Sequence, residues 1–343
     1  MGHDMTISVN ELSETVTDIF LKAGLLPAQA LALSRVITAA ERDACKSHGI
    51  YRIAGCLRTV KARKVAPMAE PILKDDGSGI LRIDAQGGFS CAGFEMGAPV
   101  LAERAKTLGV AALVINDCVH FSALWPEMEV LTELGVAALA MCPSYASVAP
   151  AGGTKALMGT NPIAFGWPRK ANPPFVFDFA TSVAARGEIE LHRRAGTPLP
   201  EGWALDPDGH PTTDPDMALD GAMLPFGAHK GSAIAIMIEL MAGAMIGDLT
   251  SPEARDLVGA MNLAPRHGEL VIAFSPERFA AGRPGNPFDR AEGLFDAILG
   301  QGARLPSQRR FVARAKATAE GIMLSRAERA ELEQLRSLGL DAV

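Results

Sequence analysis

The sequence predicts a mixed α/β protein with helical extensions at both ends. The opening sixty or so residues repeat apolar side chains at helical spacing. From Pro67 onward, short β-branched or aromatic runs alternate with amphipathic stretches, and the tail returns to helical periodicity. At 343 residues the chain exceeds one simple core. It divides into an N-terminal helical segment at 1–66, a mixed α/β domain at 67–285 and a C-terminal helical segment at 286–343.

Each element has a local justification. Ser8 and Glu11 match a capping box, Ile7 and Leu12 stand at staple positions, and Gly24 closes a helix striped by Leu12, Val16, Ile19 and Phe20. A second helix is expected to start at Pro27, run towards Ser47 and end near Gly49. Residues 50–64 are again amphipathic, with Arg52, Arg58, Lys61, Arg63 and Lys64 on the polar side. Strands are expected at 79–85, 110–116, 136–141 and 175–179, with helices at 92–108 and 126–134. Residues 199–215, rich in Pro, Asp and Gly, read as a long loop. The most apolar run, 231–246, is interrupted by Glu239 and short for a membrane span, so it reads as a buried helix. A late strand is expected at 270–275. Two helices follow in the tail, the last with a Ser325/Glu328 capping box.

Composition excludes several functions. A chain 48% hydrophobic and 21% charged is ordinary for a globular protein and argues against extended disorder. The formal charge of −6, with Lys and Arg scattered, speaks against a nucleic-acid or anionic-membrane partner. Cys45, Cys56, Cys91, Cys118 and Cys142 show no CxxC spacing. Free thiols in a reducing cytoplasm are therefore expected, with neither a disulfide frame nor a metal site. The opening Met-Gly-His-Asp-Met lacks the basic and apolar blocks of a signal peptide, which also suits a cytoplasmic location.

The densest chemistry lies in Cys45-Lys-Ser-His-Gly-Ile-Tyr-Arg52. Ser47 and His48 can pass protons and Arg52 can grip a carboxylate, which suggests an enzyme acting on a small carboxylic acid. The alternative is a plain helix C-terminus, with His48 favoured by the dipole and Gly49 as the stop. On a continuous helix, neighbours point about 100° apart, so Ser47 is not expected to bond the His48 ring. That disfavours a Ser–His–acid hydrolase. His120 follows a strand end, where ligands collect in α/β sheets, or is a satisfied loop histidine. Gly159-Thr-Asn-Pro162 is a turn that also offers a hydroxyl and an amide. Asp178 either caps the following helix or meets a ligand. Arg186 and Glu188 on that helix do not face each other, leaving Glu188 free to polarise a histidine. Lys230, at a helix N-terminus, opposes the dipole and needs an anion or a nearby acid. No dinucleotide fingerprint is present, because Gly300-Gln-Gly302 lacks both the third glycine and a preceding strand. Gly227-Ala-His-Lys-Gly-Ser232 does not have P-loop spacing.

Five segments, Ser47-His-Gly-Ile-Tyr-Arg52, His120-Phe121, Gly159-Thr-Asn-Pro162, Asp178-Phe-Ala-Thr-Ser182 and Gly227-Ala-His-Lys-Gly-Ser232, resemble the second malate/L-lactate dehydrogenase family in content and order. That family is unrelated to the Rossmann-type lactate dehydrogenases. His120-Phe-Ser-Ala-Leu-Trp125, Leu199-Pro-Glu-Gly202 and Leu224-Pro-Phe-Gly-Ala-His-Lys-Gly-Ser232 look like its Δ1-piperideine-2-carboxylate/Δ1-pyrroline-2-carboxylate reductase branch.

The resemblance implies a non-Rossmann nucleotide-binding domain on a largely antiparallel sheet, and a homodimer. It also implies NADPH-dependent reduction of a cyclic imino acid to L-proline or L-pipecolate, as in proline metabolism or lysine degradation. A 2-hydroxy-acid dehydrogenase, for malate, lactate or ureidoglycolate, is the alternative on the same fold; a binding protein that retains the pocket is another. Carried over by position, Ser47 and Glu188 relay protons around His48, the donor. Where close relatives carry aspartate, Glu188 is one methylene longer. Arg52, Thr160, Arg186 and Gly187 meet the substrate. His120, Phe121, Ser122, Ala123, Leu124, Asp178, Phe179, Ala180, His229 and Lys230 line the cofactor. Leu305, Pro306, Ser307, Gln308, Arg309, Arg310 and Phe311 reach it from the tail. Hydride attack on C=N is easier when the nitrogen is protonated, which suits a histidine whose pKa a partner carboxylate would raise. Arg52 would fix the substrate carboxylate.

Overall fold

The computed structural model describes residues 5–260 and 262–343. The opening Met1-Gly-His-Asp4, read above as lacking signal-peptide blocks, lies outside the described residues. The strands are β1 (Met5–Ile7), β2 (Ile72–Lys74), β3 (Ile80–Asp84), β4 (Val110–Val119), β5 (Ala137–Met141), β6 (Ile163–Trp167), β7 (Phe175–Phe179), β8 (Ala204–Leu205), β9 (Pro211–Thr212), β10 (Ala222–Met223), β11 (Arg266–Phe274) and β12 (Ile322–Leu324). The helices are α1 (Val9–Lys22), α2 (Pro27–Arg42), α3 (Tyr51–Lys61), α4 (Ser90–Leu108), α5 (Trp125–Glu133), α6 (Arg186–Ala195), α7 (Pro215–Asp220), α8 (His229–Ile238), α9 (Ser251–Val258), α10 (Pro276–Phe279), α11 (Pro287–Gly300), α12 (Gln308–Glu320) and α13 (Arg326–Leu338).

A seven-stranded sheet in the order β2-β3-β4-β11-β5-β6-β7 forms the centre. Only β3 and β4 run parallel; every other neighbouring pair is antiparallel. The exception has a local cause: a parallel pair needs a crossover, and α4 supplies it. The expectation of a largely antiparallel, non-Rossmann sheet is met. One face of the sheet packs on α4 and α5 through Leu81, Ile83, Leu101, Leu113 and Met128. Gly97 lets α4 settle there, since a Cβ at that position would stand 2.7 Å from Leu113. The other face packs on α8 and the turn after it through Val114, Met141, Ile238 and Ala242.

The two ends of the chain share one core. β1 pairs with β12, and Leu12, Ile19, Ile53 and Leu57 pack in the same cluster as Ala317, Leu324 and Leu332. Ser8 Oγ accepts the Glu11 N–H at 3.1 Å, and Ser325 with Glu328 forms the reciprocal box of α13.

Four expectations are corrected. The second helix stops at Arg42, because Ala44 takes a left-handed backbone (φ 59°), and Lys46–His48 forms a separate 3₁₀ turn. The 199–215 loop contains β8 and β9, which with β10 make a small sheet; two-residue strands carry no readable alternation. The 231–246 run is not buried throughout. It is α8 followed by a π-helical turn, Glu239–Ala244, and Ile236, Met237, Leu240 and Met245 face outward, Leu240 at 60% exposure. The tail holds three helices, α11, α12 and α13, separated by Gly302 and Gly321 in left-handed conformations. Among the described residues no helix is long and apolar enough to cross a membrane. All five cysteines are free, and all but Cys45 are buried.

Candidate active site

A cavity of roughly 770 Å³ is lined by the α2–α3 connection, the segments after β4 and β5, the end of β7, the start of α6 and the start of α12. It gathers most of the residues singled out by sequence, among them Ser47, His48, Arg52, Thr160, Arg186 and Glu188. His120, Phe121, Ser122, Ala123, Asp178, Phe179, Ala180, Arg309 and Arg310 also lie on its wall. Others lie elsewhere. Gly187 faces an adjoining cleft that shares Arg52 and Arg186. It packs so closely that a Cβ would stand 3.3 Å from the Ser47 carbonyl. Leu305, Pro306, Gln308 and Phe311 line a third cleft, with Arg309 common to both walls. Ser307 donates inward to the Val176 carbonyl and accepts from Arg310. Leu124 is buried, and His229 and Lys230 are exposed at the start of α8, outside these walls.

The Ser47–His48 pair corrects the geometric expectation. Ser47 Oγ lies 3.0 Å from His48 Nδ1. Ser47 and His48 lie not on a continuous α-helix but in an isolated three-residue turn, Lys46–His48, between non-helical Cys45 and Gly49, so the α-helical spacing of neighbours does not apply to them. Arg52 Nε donates to the Ser47 carbonyl at 2.8 Å. Burial, then the Arg52 charge, pushes the His48 imidazole down to about 3. That is opposite to the expected upward tuning, and among the described residues no carboxylate raises the ring. Glu188 lines the same cavity but spends Oε2 on the Ala185 N–H (3.0 Å), in the first turn of α6.

The turn is held from several sides. Buried Glu41 accepts the Ile50 N–H at 3.0 Å and pairs with Lys46, and a side chain on Gly49 would collide with its carboxylate. Buried Asp43 takes Arg314 Nε of α12 at 3.1 and 3.2 Å, and Arg314 also reaches Glu129 at 2.7 Å.

Asp178 Oδ2, also lining the cavity, accepts the N–H groups of Leu124 (2.8 Å) and Trp125 (2.9 Å). It therefore caps α5 across the fold rather than the helix that follows it. Arg310 stacks over Trp125 with its guanidinium carbon 4.4 Å from the ring centroid, and its Nε is buried without a partner among the described groups. An orphaned guanidinium donor beside Arg309 fits an anionic, phosphate-bearing cofactor. Asn161 is an anchor rather than a ligand: fully buried at φ 34°, it donates to Glu239 (2.7 Å) and the Ala235 carbonyl (3.1 Å). Sequence reasoning missed Tyr145, Cys142 and His267 on the wall, and Glu127 and Glu269 behind it. The one available signal was Glu269, a charge within a run of apolar strand residues.

The family described as malate/L-lactate dehydrogenase matches residues 7–333. The chain is 67% identical over 344 residues to the Δ1-pyrroline-2-carboxylate reductase of Agrobacterium fabrum, covering 100% of both. It is 52% identical to the Δ1-pyrroline-2-carboxylate/Δ1-piperideine-2-carboxylate reductase of Pseudomonas aeruginosa, covering 95% of this chain and 98% of that protein. The crystal structure of Δ1-piperideine-2-carboxylate reductase from Pseudomonas syringae superposes with a TM-score of 0.91 at 38% identity, covering 96% of this chain and 99% of that one.

Proposed function

The chain belongs to the malate/L-lactate dehydrogenase family, and we propose that it reduces the C=N bond of a small cyclic imino acid. The substrate is Δ1-pyrroline-2-carboxylate or its six-membered homologue, and the product L-proline or L-pipecolate. The observation that carries the reading is the 67% identity, end to end, with a Δ1-pyrroline-2-carboxylate reductase. The site chemistry supports it, because a proton-carrying histidine and an arginine share one cavity wall.

The family implies a nicotinamide cofactor, which when bound supplies the hydride. Arg309 and Arg310 would hold its phosphates, and their adjacency favours the form with the additional 2′-phosphate, NADPH. Arg52, fixed at Nε by the Ser47 carbonyl, presents the outer edge of its fork to the substrate carboxylate. Burial is the larger cause of the depressed His48 and persists, but that pairing neutralises the smaller Arg52 part, so the imidazole gains some basicity when substrate is seated. Ser47 on Nδ1 orients the ring and leaves Nε2 to pass a proton to the substrate nitrogen, with Glu188 completing the relay. The outward apolar face of α8 and its π-helical turn suits a homodimer, and free thiols suit a reducing cytoplasm.

The test is a substrate panel followed by loss of reduced-nicotinamide absorbance, with NADPH and NADH in parallel. Oxidation of NADPH with Δ1-pyrroline-2-carboxylate is the expected result. Turnover confined to pyruvate or oxaloacetate would move the assignment to a 2-hydroxy-acid dehydrogenase.

A further inference from the structure

Directly behind His120, two carboxyl groups are sealed from solvent. Glu269 on β11 has 0% exposure and Glu127, in the first turn of α5, 4%. Counted as carboxylates, both oxygens of Glu269 and Oε2 of Glu127 lack a partner among the described groups. One carboxyl oxygen of each lies within 4.8 Å of the other and of a His120 ring nitrogen. Two carboxylates cannot satisfy one another, because neither has a proton to give. Nor do like charges so close both ionise in a dry interior.

One proton resolves the conflict. A Glu127 O–H donating to Glu269 satisfies one oxygen on each group. The other Glu269 oxygen, Oε2, lies 3.5 Å from His120 Nε2 and can take its N–H. A divalent cation is the rival closure. One ligand atom from each of His120, Glu127 and Glu269 lies within 4.8 Å of the others, so a metal assay is needed to separate the two closures. Burial and the Glu269 charge hold Glu127 well above the usual carboxyl range, and burial raises Glu269 as well. Burial holds His120 well below the usual imidazole range, so the ring is neutral and its tautomer matters.

We propose that Glu127 carries a proton shared with Glu269, and that this pair fixes His120 as the Nε2–H tautomer. Nδ1 is then the site's acceptor for an N–H donor of the ligand, namely the carboxamide of the nicotinamide. His120 lines the cavity, and among the described residues its Nδ1 meets the Cys142 thiol at 3.9 Å, a weak competitor. His267, its ring 5.4 Å away, is tied through Nδ1 to the Gly268 carbonyl at 2.9 Å and is also held neutral by burial. Glu127 and Glu269 touch no ligand and act as positioning residues through His120. The ligand half of the proposal rests on the reading of the cavity as a nicotinamide site.

The test has two independent readouts. Histidine-selective ¹⁵N NMR of the cofactor-free enzyme reports the tautomer, with the proton expected on Nε2 of His120. In Glu269→Gln the new amide can donate to the ring, and the proton is expected to move to Nδ1. Dissociation constants for NADPH and for its 3-acetylpyridine analogue, which lacks the carboxamide NH₂, report the acceptor. The native enzyme should prefer NADPH about tenfold, the worth of one hydrogen bond, and Glu269→Gln should lose that preference. If the variant does not fold, the native tautomer and the native preference still decide. A native Nδ1–H, an imidazolium, or a stoichiometric divalent metal would overturn the shared proton. Equal affinity for the two dinucleotides, with Nε2–H intact, would overturn the acceptor role. Failure of the cavity reading is distinguishable, since neither dinucleotide would then bind while the tautomer result stood.

Discussion

Arg52 acts on its surroundings in two opposed ways. It offers a guanidinium to a carboxylate, and its charge helps to hold His48 neutral in the ligand-free enzyme. Arg52→Met should therefore raise KM for the imino acid by about 10–100-fold, the worth of a charge-assisted hydrogen bond. It should also move the His48 pKa upward, read from its ring resonances; an unmoved His48 would contradict the coupling. The residue types of this pocket were legible in the sequence because Ser47, His48 and Arg52 fall within six positions. The Ser47–His48 bond was not. It depends on the left-handed backbone at Ala44 and on the buried Glu41 carboxylate, and neither leaves a local signature. Glu127 and Glu269 were invisible for a related reason, since their juxtaposition joins a helix and a strand far apart in sequence.

At the scale of elements, capping and strapping decide where the walls stand. Asp178 reaches from β7 to satisfy two N–H groups at the start of α5, the helix that carries Glu127 and Glu129. Asp178→Ala should cost about 1–2 kcal/mol of stability in thermal unfolding, in the range of a lost helix cap; an unchanged midpoint would mean the cap is redundant. Periodicity located β7 to the residue and α4 to within two, because alternation and the 3.6 period are strong in apolar runs. It failed for β8 and β9, which are too short to alternate, and for the end of α2, where tertiary contacts from α12 hold the turn.

At the scale of the molecule, helices from both ends of the chain share one core, and α8 presents an apolar face to solvent. Leu240→Glu on that face should convert a dimer to a monomer in light scattering; an unchanged mass would place the interface elsewhere. Buried His48, His120 and His267 are all held below 6.5, so the unfolded chain takes protons first as the pH falls below that value. Stability should fall on acidification below 6.5, and for His48 the loss extends down to about 3. Raised Glu127 and Glu269 act oppositely, losing stability as the pH rises through their folded-state values. A urea midpoint that rises on acidification below 6.5 would refute this balance. Catalysis through His48 is decided by His48→Ala, with turnover of Δ1-pyrroline-2-carboxylate and NADPH binding by fluorescence measured on the same preparation. Turnover is expected to vanish while binding is kept. Persisting turnover would place the proton donor elsewhere.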